Sequence, residues 1–391
     1  MSKFPIGTQN RDFFAGDLPL PLFSALIKKL KPHVERSHIP VLNCITIKMS
    51  GTMCTVSHHG LDRDIVTTFE TDAPGSGHVV IPLTRLTAFL AAATGPTLTI
   101  RKAKEAGAVA LTAGRLNASI VPLSVSDLPD IFDLKGLKPV RAFDFGEGVL
   151  THLLDFVAPC ISTEETRYYL NGVCLELLDG EVLGVATDGH RLATRSFKTV
   201  APLEAWDRNP IIPRDTISAV RKLAAKAEGR IEFFEKNPDA AAFFVLKTDG
   251  WTIRSRTIDG TFPAWRRVCP DGAVTFVEIS TLDINRFAAV ANAGGGSPFQ
   301  RTALAVEAAE GGIEFGYTVE GTDTFTSFID AKVTGEPLRR FGVKISYLAA
   351  MASIFKSKTL KLHCIDPGSA IRITAPGSPE NEFAILMPMR V

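Results

Sequence analysis

Asp188 and His190 flank Gly189 in the stretch Val185-Ala-Thr-Asp-Gly-His-Arg-Leu-Ala193, and an acid beside an imidazole is what a general base and its orienting partner require. A hydrolase built on that pair would also need a nucleophile on a strained strand-to-helix turn, and the chain contains no Gly-x-Ser-x-Gly. The plainer reading makes Asp188-Gly189 a tight turn between two strands, with His190 and Arg191 as polar positions at a strand end. The six cysteines, Cys44, Cys54, Cys160, Cys174, Cys269 and Cys364, include no Cys-x-x-Cys pair and sit mostly among apolar neighbours. They read as buried thiols of a reducing compartment rather than a disulfide frame or a zinc site. His58-His59 and His363-Cys364 are adjacent pairs, and adjacent side chains on a strand point to opposite faces, so no metal site and no cofactor is expected.

A second group of candidate residues is basic. A helix expected over Pro213 to Glu228, capped by Gly229, places Ile217, Val220, Leu223, Ala224 and Ala227 on one face and Arg214, Ser218, Arg221 and Lys222 on the other. Taken alone, such a face is a solvated surface. The net charge of the 391-residue chain is only +1, so nucleic-acid contact would have to come from locally placed charge. Hydrophobic content of 45% with 22% charged residues describes a globular protein too long for one ordinary core. The N-terminus, Met1-Ser-Lys-Phe-Pro-Ile-Gly-Thr, lacks the apolar core of a signal peptide, and no segment reaches the length of a membrane span. A cytoplasmic location is expected, with residues 1 to about 16 as a loose extension.

The elements that must position these residues recur. An amphipathic helix near Pro19 to Val34 carries Phe23, Leu26, Ile27 and Leu30 on one face. Strands over Val41 to Met49, Cys54 to His58 and Asp64 to Glu70 follow, then a helix from Pro82 to the stop at Gly95-Pro96. The order returns with a helix marked by Val149, Leu150, Leu153, Leu154 and Val157, strands, and the helix from Pro213. It returns again with a helix near Leu282 to Ala293, strands from Ala303 to Val333, and a helix from Lys344 to Phe355. The second helices therefore start 131 residues apart in both steps (213 − 82 and 344 − 213), the mark of a threefold internal repeat. The expected fold class is α+β, with two helices packed on antiparallel sheets in each repeat and boundaries near residues 138 and 272.

Two separated stretches carry a resemblance. Thr166-Arg-Tyr-Tyr-Leu-Asn-Gly-Val173, followed by Val185 to Ala193, resembles the second domain of the bacterial β sliding clamp family, the processivity subunit of DNA polymerase III. The terminal Met387-Pro388-Met389-Arg390-Val391 resembles that family's characteristic ending. The resemblance implies three clamp domains per chain, over residues 1–138, 139–272 and 273–391. Two chains would close head to tail as a homodimeric ring whose helices face double-stranded DNA, held without regard to sequence. It implies no catalytic activity.

The resemblance also implies a hydrophobic cleft that receives the short peptide of the polymerase III catalytic subunit, the clamp loader and other proteins carrying a clamp-binding motif. Matching positions are Leu170, Thr187, Gly189, His190, Arg191 and Leu192, then Pro263, Arg267 and Val268, then Ile385, Met387, Pro388, Met389 and Arg390. DNA contacts are implied at Arg36, Tyr168 and Tyr169, and the ring setting would give Arg214, Arg221 and Lys222 the same role. The chain departs from the family at Glu164 and Glu165, which bring carboxylates beside the tyrosine pair. It departs again at Ala291-Asn292-Ala293 and Gly294-Gly295-Gly296, where the family places bulky aliphatic residues at its dimer contact. The alternatives kept beside the clamp are a clamp-like regulatory or decoy binder that does not close a ring, and the hydrolase using Asp188 and His190.

Overall fold

The structure, a computed structural model, describes residues 15–105, 107–178, 180–200, 206, 208–237, 242–293, 303–318 and 324–390, with 291–293 described by backbone alone. Most of the N-terminal extension, the side chains of Ala291 to Ala293, the glycines at 294–296 and Val391 lie outside the described residues. Among the described residues there are six α-helices: α1 (Leu20–Leu30), α2 (Leu83–Ala92), α3 (Val149–Val157), α4 (Arg214–Leu223), α5 (Thr281–Ala293) and α6 (Ile345–Phe355). Helices α2, α4 and α6 start 131 residues apart (214 − 83 and 345 − 214), the spacing read from the residues. Among the described residues, no helix is long and apolar enough to cross a membrane.

Helix ends differ from the sequence expectation where backbone chemistry intervenes. α1 stops at Leu30, and Lys31–His33 tightens into a 3-10 turn because Pro32 has no N–H to continue the ladder. α4 stops at Leu223 rather than Glu228; Lys226 adopts a left-handed conformation (φ 61°) and Ala227 N–H turns back to the carbonyl of Ala224. Gly229 is therefore no helix cap. It opens the strand Gly229–Phe234, where a Cβ would collide with the carbonyl oxygen of Lys247 on the paired strand.

The backbone divides into two compact units, Met1–Ala142 with Ser218–Arg256 and Phe143–Ile217 with Thr257–Val391. In the first, a four-stranded sheet runs Gly16–Pro19, Thr97–Lys102, Val109–Ala113, Leu116–Ile120, and the strands Cys44–His59, Arg63–Pro82, Thr252–Arg256, Phe243–Thr248 and Gly229–Phe234 pair in that order in a second sheet. The three short strands expected between residues 41 and 70 are two long ones, paired from Cys44↔Pro82 to His59↔Asp64 with one bulge between Gly51 and Met53. Ser50-Gly51 bends the ladder without ending it. His58 and His59 point to opposite faces as strand geometry requires: His58 is fully buried, while Nδ1 of His59 lies 3.1 Å from Oδ2 of Asp64.

In the second unit a twelve-stranded sheet runs Ile211–Pro213, Gly172–Leu178, Glu181–Thr187, Arg191–Lys198, Phe383–Leu386, Ile371–Thr374, Thr359–Cys364, Thr275–Ser280, Thr324–Gly335, Gly312–Thr318, Ala303–Ala309, Phe341–Lys344. Strands far apart in the chain join at Arg191–Lys198 and Phe383–Leu386, whose register pairs Leu192 with Ile385. Helices α3 and α6 meet through an edge-to-face contact of Phe156 and Phe355, ring centroids 4.9 Å apart.

Candidate functional site

The Asp188-Gly189 turn is closed by its own polar groups. Oδ1 of Asp188 accepts the backbone N–H groups of His190 (2.9 Å) and Arg191 (3.0 Å), and Oδ2 accepts Nε of Arg191 (2.9 Å). The Thr187 hydroxyl donates to the carbonyl of Arg191 and accepts the N–H of Gly189. Gly189 has φ +88°, a backbone conformation that favours glycine, and lies under the Arg167 guanidinium. The Asp188 carboxylate is thus spent on the turn, and the His190 ring stacks instead on Tyr347 of α6, centroids 6.2 Å apart. The acid–imidazole pair of a hydrolase does not form.

The turn is tied to the C-terminal segment. Met387 N–H donates to the carbonyl of His190 (2.8 Å), and Met389 N–H donates to the carbonyl of Gly342 (2.7 Å). Met387 to Met389 are therefore fixed from both sides, between the hairpin and the strand Phe341–Lys344. Tyr347 completes the corner, with the Arg191 guanidinium and the Lys344 ammonium each 4.4 Å from its ring centroid.

Beneath lies one apolar cluster containing Leu170, Cys174, Leu183, Val185, Leu192, Ile211, Phe262, Trp265, Phe383 and Ile385. It gathers three of the sequence-predicted positions, Leu170, Leu192 and Ile385, from distant parts of the chain. Leu192 and Ile385 present almost no surface, at 2% and 1% exposure, whereas Val268 is 51% and Met387 38% exposed. The exposed apolar side chains of the predicted cleft are therefore Val268 and Met387, with Pro263 and Arg267 also exposed, Pro388 and Met389 half-buried, and Arg390 exposed at the end.

The 3-10 turn Trp265–Val268 is held by a carboxylate the sequence reading did not single out. Glu176, on the strand Gly172–Leu178 and 6% exposed, accepts Nε1 of Trp265 (2.7 Å) and two guanidinium N–H groups of Arg266 (3.1 and 2.6 Å). The Arg266 guanidinium also lies 4.3 Å from the Trp265 ring centroid. A lone acid within the apolar run Gly172-Val-Cys-Leu-Glu-Leu-Leu178 was the available signal, since a charge buried in a strand needs partners. Arg167 was missed as well. It pairs with Glu164 (2.7 Å) and donates to the carbonyl of Asp188 (3.3 Å), which links the tyrosine loop to the hairpin and compensates the carboxylate beside the loop. For Tyr347 no local signal existed.

Tyr168 and Tyr169 divide as an exposed and a packed ring. Tyr168 is 53% exposed, while Tyr169 packs on the apolar cluster, and the two meet edge to face at 5.9 Å. The same loop holds the start of α4: Arg214 N–H donates to the carbonyl of Asn171 (2.9 Å), and its Nη1 reaches the carbonyl of Ser162 (3.4 Å). Arg214 and Lys222 are exposed, Arg221 is half-buried, and Thr216, Ile217, Ala219, Val220 and Leu223 face inward. Arg36, in the first unit, is exposed beside a loop held by Asn43, which bonds the backbone of Ser37 and Ile39.

All described thiols are free; Cys269 is half-buried and the others are buried. Burial pushes them up, Cys44 to about 11 and Cys54, Cys160 and Cys364 to about 12, with Cys174 and Cys269 also raised. Among the described residues, no three His, Cys, Asp or Glu side chains gather as a metal site would require.

Comparison with known proteins agrees with this geometry. Residues 146–264 match the family model described as DNA polymerase III beta subunit, central domain. The beta sliding clamp of Caulobacter vibrioides is 29% identical over 387 residues, covering 94% of this chain and 98% of that protein. That of Pseudomonas putida is 23% identical over 379 residues, covering 95% and 97%. Among solved structures, a sliding clamp of Pseudomonas aeruginosa bound to griselimycin superposes with a TM-score of 0.86 at 20% identity, covering 97% of this chain and 100% of the other. The DNA polymerase sliding clamp of Caulobacter crescentus gives 0.82 at 24% identity, covering 98% and 100%. The architecture, antiparallel sheets with six helices, is the sliding-clamp fold. The chain is similar to the β sliding clamps (DNA polymerase III beta subunit) over nearly its full length, and its residues 146–264 match that family's central domain.

Proposed function

We propose that this chain is a DNA sliding clamp: it encircles duplex DNA, confers processivity on a replicative polymerase, and tethers its partners through the cleft at Val268, Met387 and Met389. The three repeats, 1–138, 139–272 and 273–391, act as its domains, and two chains close head to tail into a ring with two equivalent contacts. The observation that carries the reading is the terminal Met387–Met389 segment, hydrogen-bonded to the carbonyls of His190 and Gly342 with the Met387 side chain still exposed. A segment that merely sealed the chain end would not leave Met387 38% exposed beside a rigid apolar floor.

The occupant is a short peptide with a glutamine and two spaced aliphatic or aromatic side chains. Each fully buried aliphatic anchor contributes roughly 1.5–3 kcal/mol, so two give a weak, exchangeable contact after the ordering cost of the peptide. Methionine walls adapt to differing partners. Arg214, Arg221 and Lys222 supply phosphate contacts that ignore sequence, and exposed Tyr168 offers a stacking face. Titration of such a peptide against the chain and against Val268→Ala, Met387→Ala tests the reading. Both residues are exposed, so the variant keeps its fold; it loses most of its affinity, and retained affinity would place the partner site elsewhere.

A further inference from the structure

The sulfur atoms of the chain fall into two groups. The thiols are buried or half-buried and held protonated, and it is the thiolate that attacks peroxide, so they are poor targets. A methionine thioether needs no ionisation; exposure alone decides its reactivity. Met49 and Met351 are buried at 3% and 0%, while Met53 is 41% exposed, Met387 is 38% exposed and Met389 half-buried. Of these three accessible thioethers, two stand on the wall of the partner cleft, and the third lies on the Cys44–His59 strand of the other unit.

We infer that Met387, with Met389 beside it, is a reversible oxidation site through which hydrogen peroxide releases partner peptides from the cleft. The inference rests on the cleft reading above. In the reaction the thioether sulfur attacks one peroxide oxygen, the O–O bond breaks as the S–O bond forms, and the departing hydroxide takes a proton to leave as water. Sulfur loses two electrons and peroxide gains them. The product replaces a soft apolar wall with a polar sulfoxide, which an aliphatic anchor can no longer cover without desolvating an unpaired oxygen. Met387 and Met389 are pinned through their backbone N–H groups to His190 and Gly342, so the segment that carries the sulfoxide stays at the cleft. Methionine sulfoxide reductases, acting on an exposed side chain, restore the wall.

The test uses the full chain and a synthetic peptide with a glutamine and two leucines but no methionine, cysteine or tryptophan. Affinity is measured by fluorescence anisotropy before peroxide, after peroxide, and after treatment with both sulfoxide reductases, with mass spectrometry locating the added oxygen. Oxidation at Met387 is expected to weaken binding about tenfold or more, since an uncompensated buried polar group costs of this order, and the reductases return it. Met53→Leu binds as the parent does and stays peroxide-sensitive, whereas Met387→Leu, Met389→Leu keeps its own affinity unchanged through peroxide. A chain that binds equally well with sulfoxide at Met387, or that loses its sensitivity through Met53→Leu, overturns the inference alone. A reduced chain that binds no peptide overturns the cleft reading and this inference with it.

Discussion

Leu192 faces Ile385 across an antiparallel ladder, and the corresponding place in the first unit is taken by Asp64 facing Arg254. The two hairpins close alike, Asp188 N–H to the carbonyl of Arg191 and Gly60 N–H to that of Arg63, and in each that arginine starts the pairing with a distant strand, Arg191 with Leu386 and Arg63 with Ser255. One ladder pair is apolar and lies in the core beneath Met387; the other is charged, with Nη1 of Arg254 3.9 Å from Oδ2 of Asp64. The apolar pair under Met387 thus has a charged pair at the matching ladder position of the first unit. Calorimetric titration of the partner peptide should accordingly give one site per chain, and a second site of similar affinity would contradict this.

Glu176 fastens the turn that carries Val268. Glu176→Ala leaves Nε1 of Trp265 buried without an acceptor, a loss of about 1–3 kcal/mol. Arg266 is 57% exposed, so water takes over its charge and adds little to that cost. The variant should melt several degrees lower and bind the peptide more weakly. An unchanged melt would show that Trp265 finds another partner.

The division of labour in the hairpin separates an enzyme from a binding protein. Asp188→Ala removes an acceptor of three hydrogen bonds, net about 0.5–1.5 kcal/mol each, and should loosen the turn and lower the melting temperature. His190→Ala keeps all three, because its backbone makes the contact. It should melt as the parent does, and ester or phosphodiester hydrolysis abolished by that substitution would revive the catalytic alternative.

Acid should weaken the first unit through His58. Burial holds this imidazole down at about 4 against an ordinary 6.5, with the N–H of Glu35 reaching its Nε2 (3.3 Å). Between these values the unfolded chain binds a proton that the folded chain refuses. The stability is therefore fully present above pH 6.5 and is lost as the pH falls towards 4, by up to about 3 kcal/mol. Thermal melts across this range should show the decline, and His58→Gln should flatten part of it; an equally steep decline in the variant would move the cause to other groups such as His363, also held near 4.

The helices and their 131-residue register were legible because periodicity and proline stops are local signals. The hairpin at Asp188-Gly189 was legible for the same reason. What escaped were relations between distant residues. Nothing near Ser50-Gly51 announces that the strand continues through a bulge, because the partner strand Arg63–Pro82 supplies the missing bonds. Leu192 and Ile385 read as open cleft wall in the sequence, yet strand pairing and Trp265 bury them, leaving Val268 and Met387 as the surface. Tyr347 sits in the apolar helix Ile345–Phe355, and only folding brings Arg191 onto its ring.

The two tyrosines should behave differently. Tyr169→Ala removes a ring packed on the apolar cluster and should destabilise the second unit, whereas Tyr168→Ala should leave the melt unchanged and weaken DNA binding. Neutralising Arg214, Arg221 and Lys222 together should flatten the salt dependence of binding equally on unrelated duplexes, by about 0.9 in logarithmic slope for each phosphate no longer neutralised. Different slopes on different sequences would speak against a sequence-blind grip.

The clamp reading is tested most directly by topology. The chain is incubated with a bacterial clamp loader and nicked circular duplex DNA, washed at high salt, and the DNA is then cut once with a restriction enzyme. A ring that encircles DNA stays on the circle through the wash and slides off after the cut. Equal retention on the circle and on the cut DNA, or equal loss from both at high salt, would contradict it.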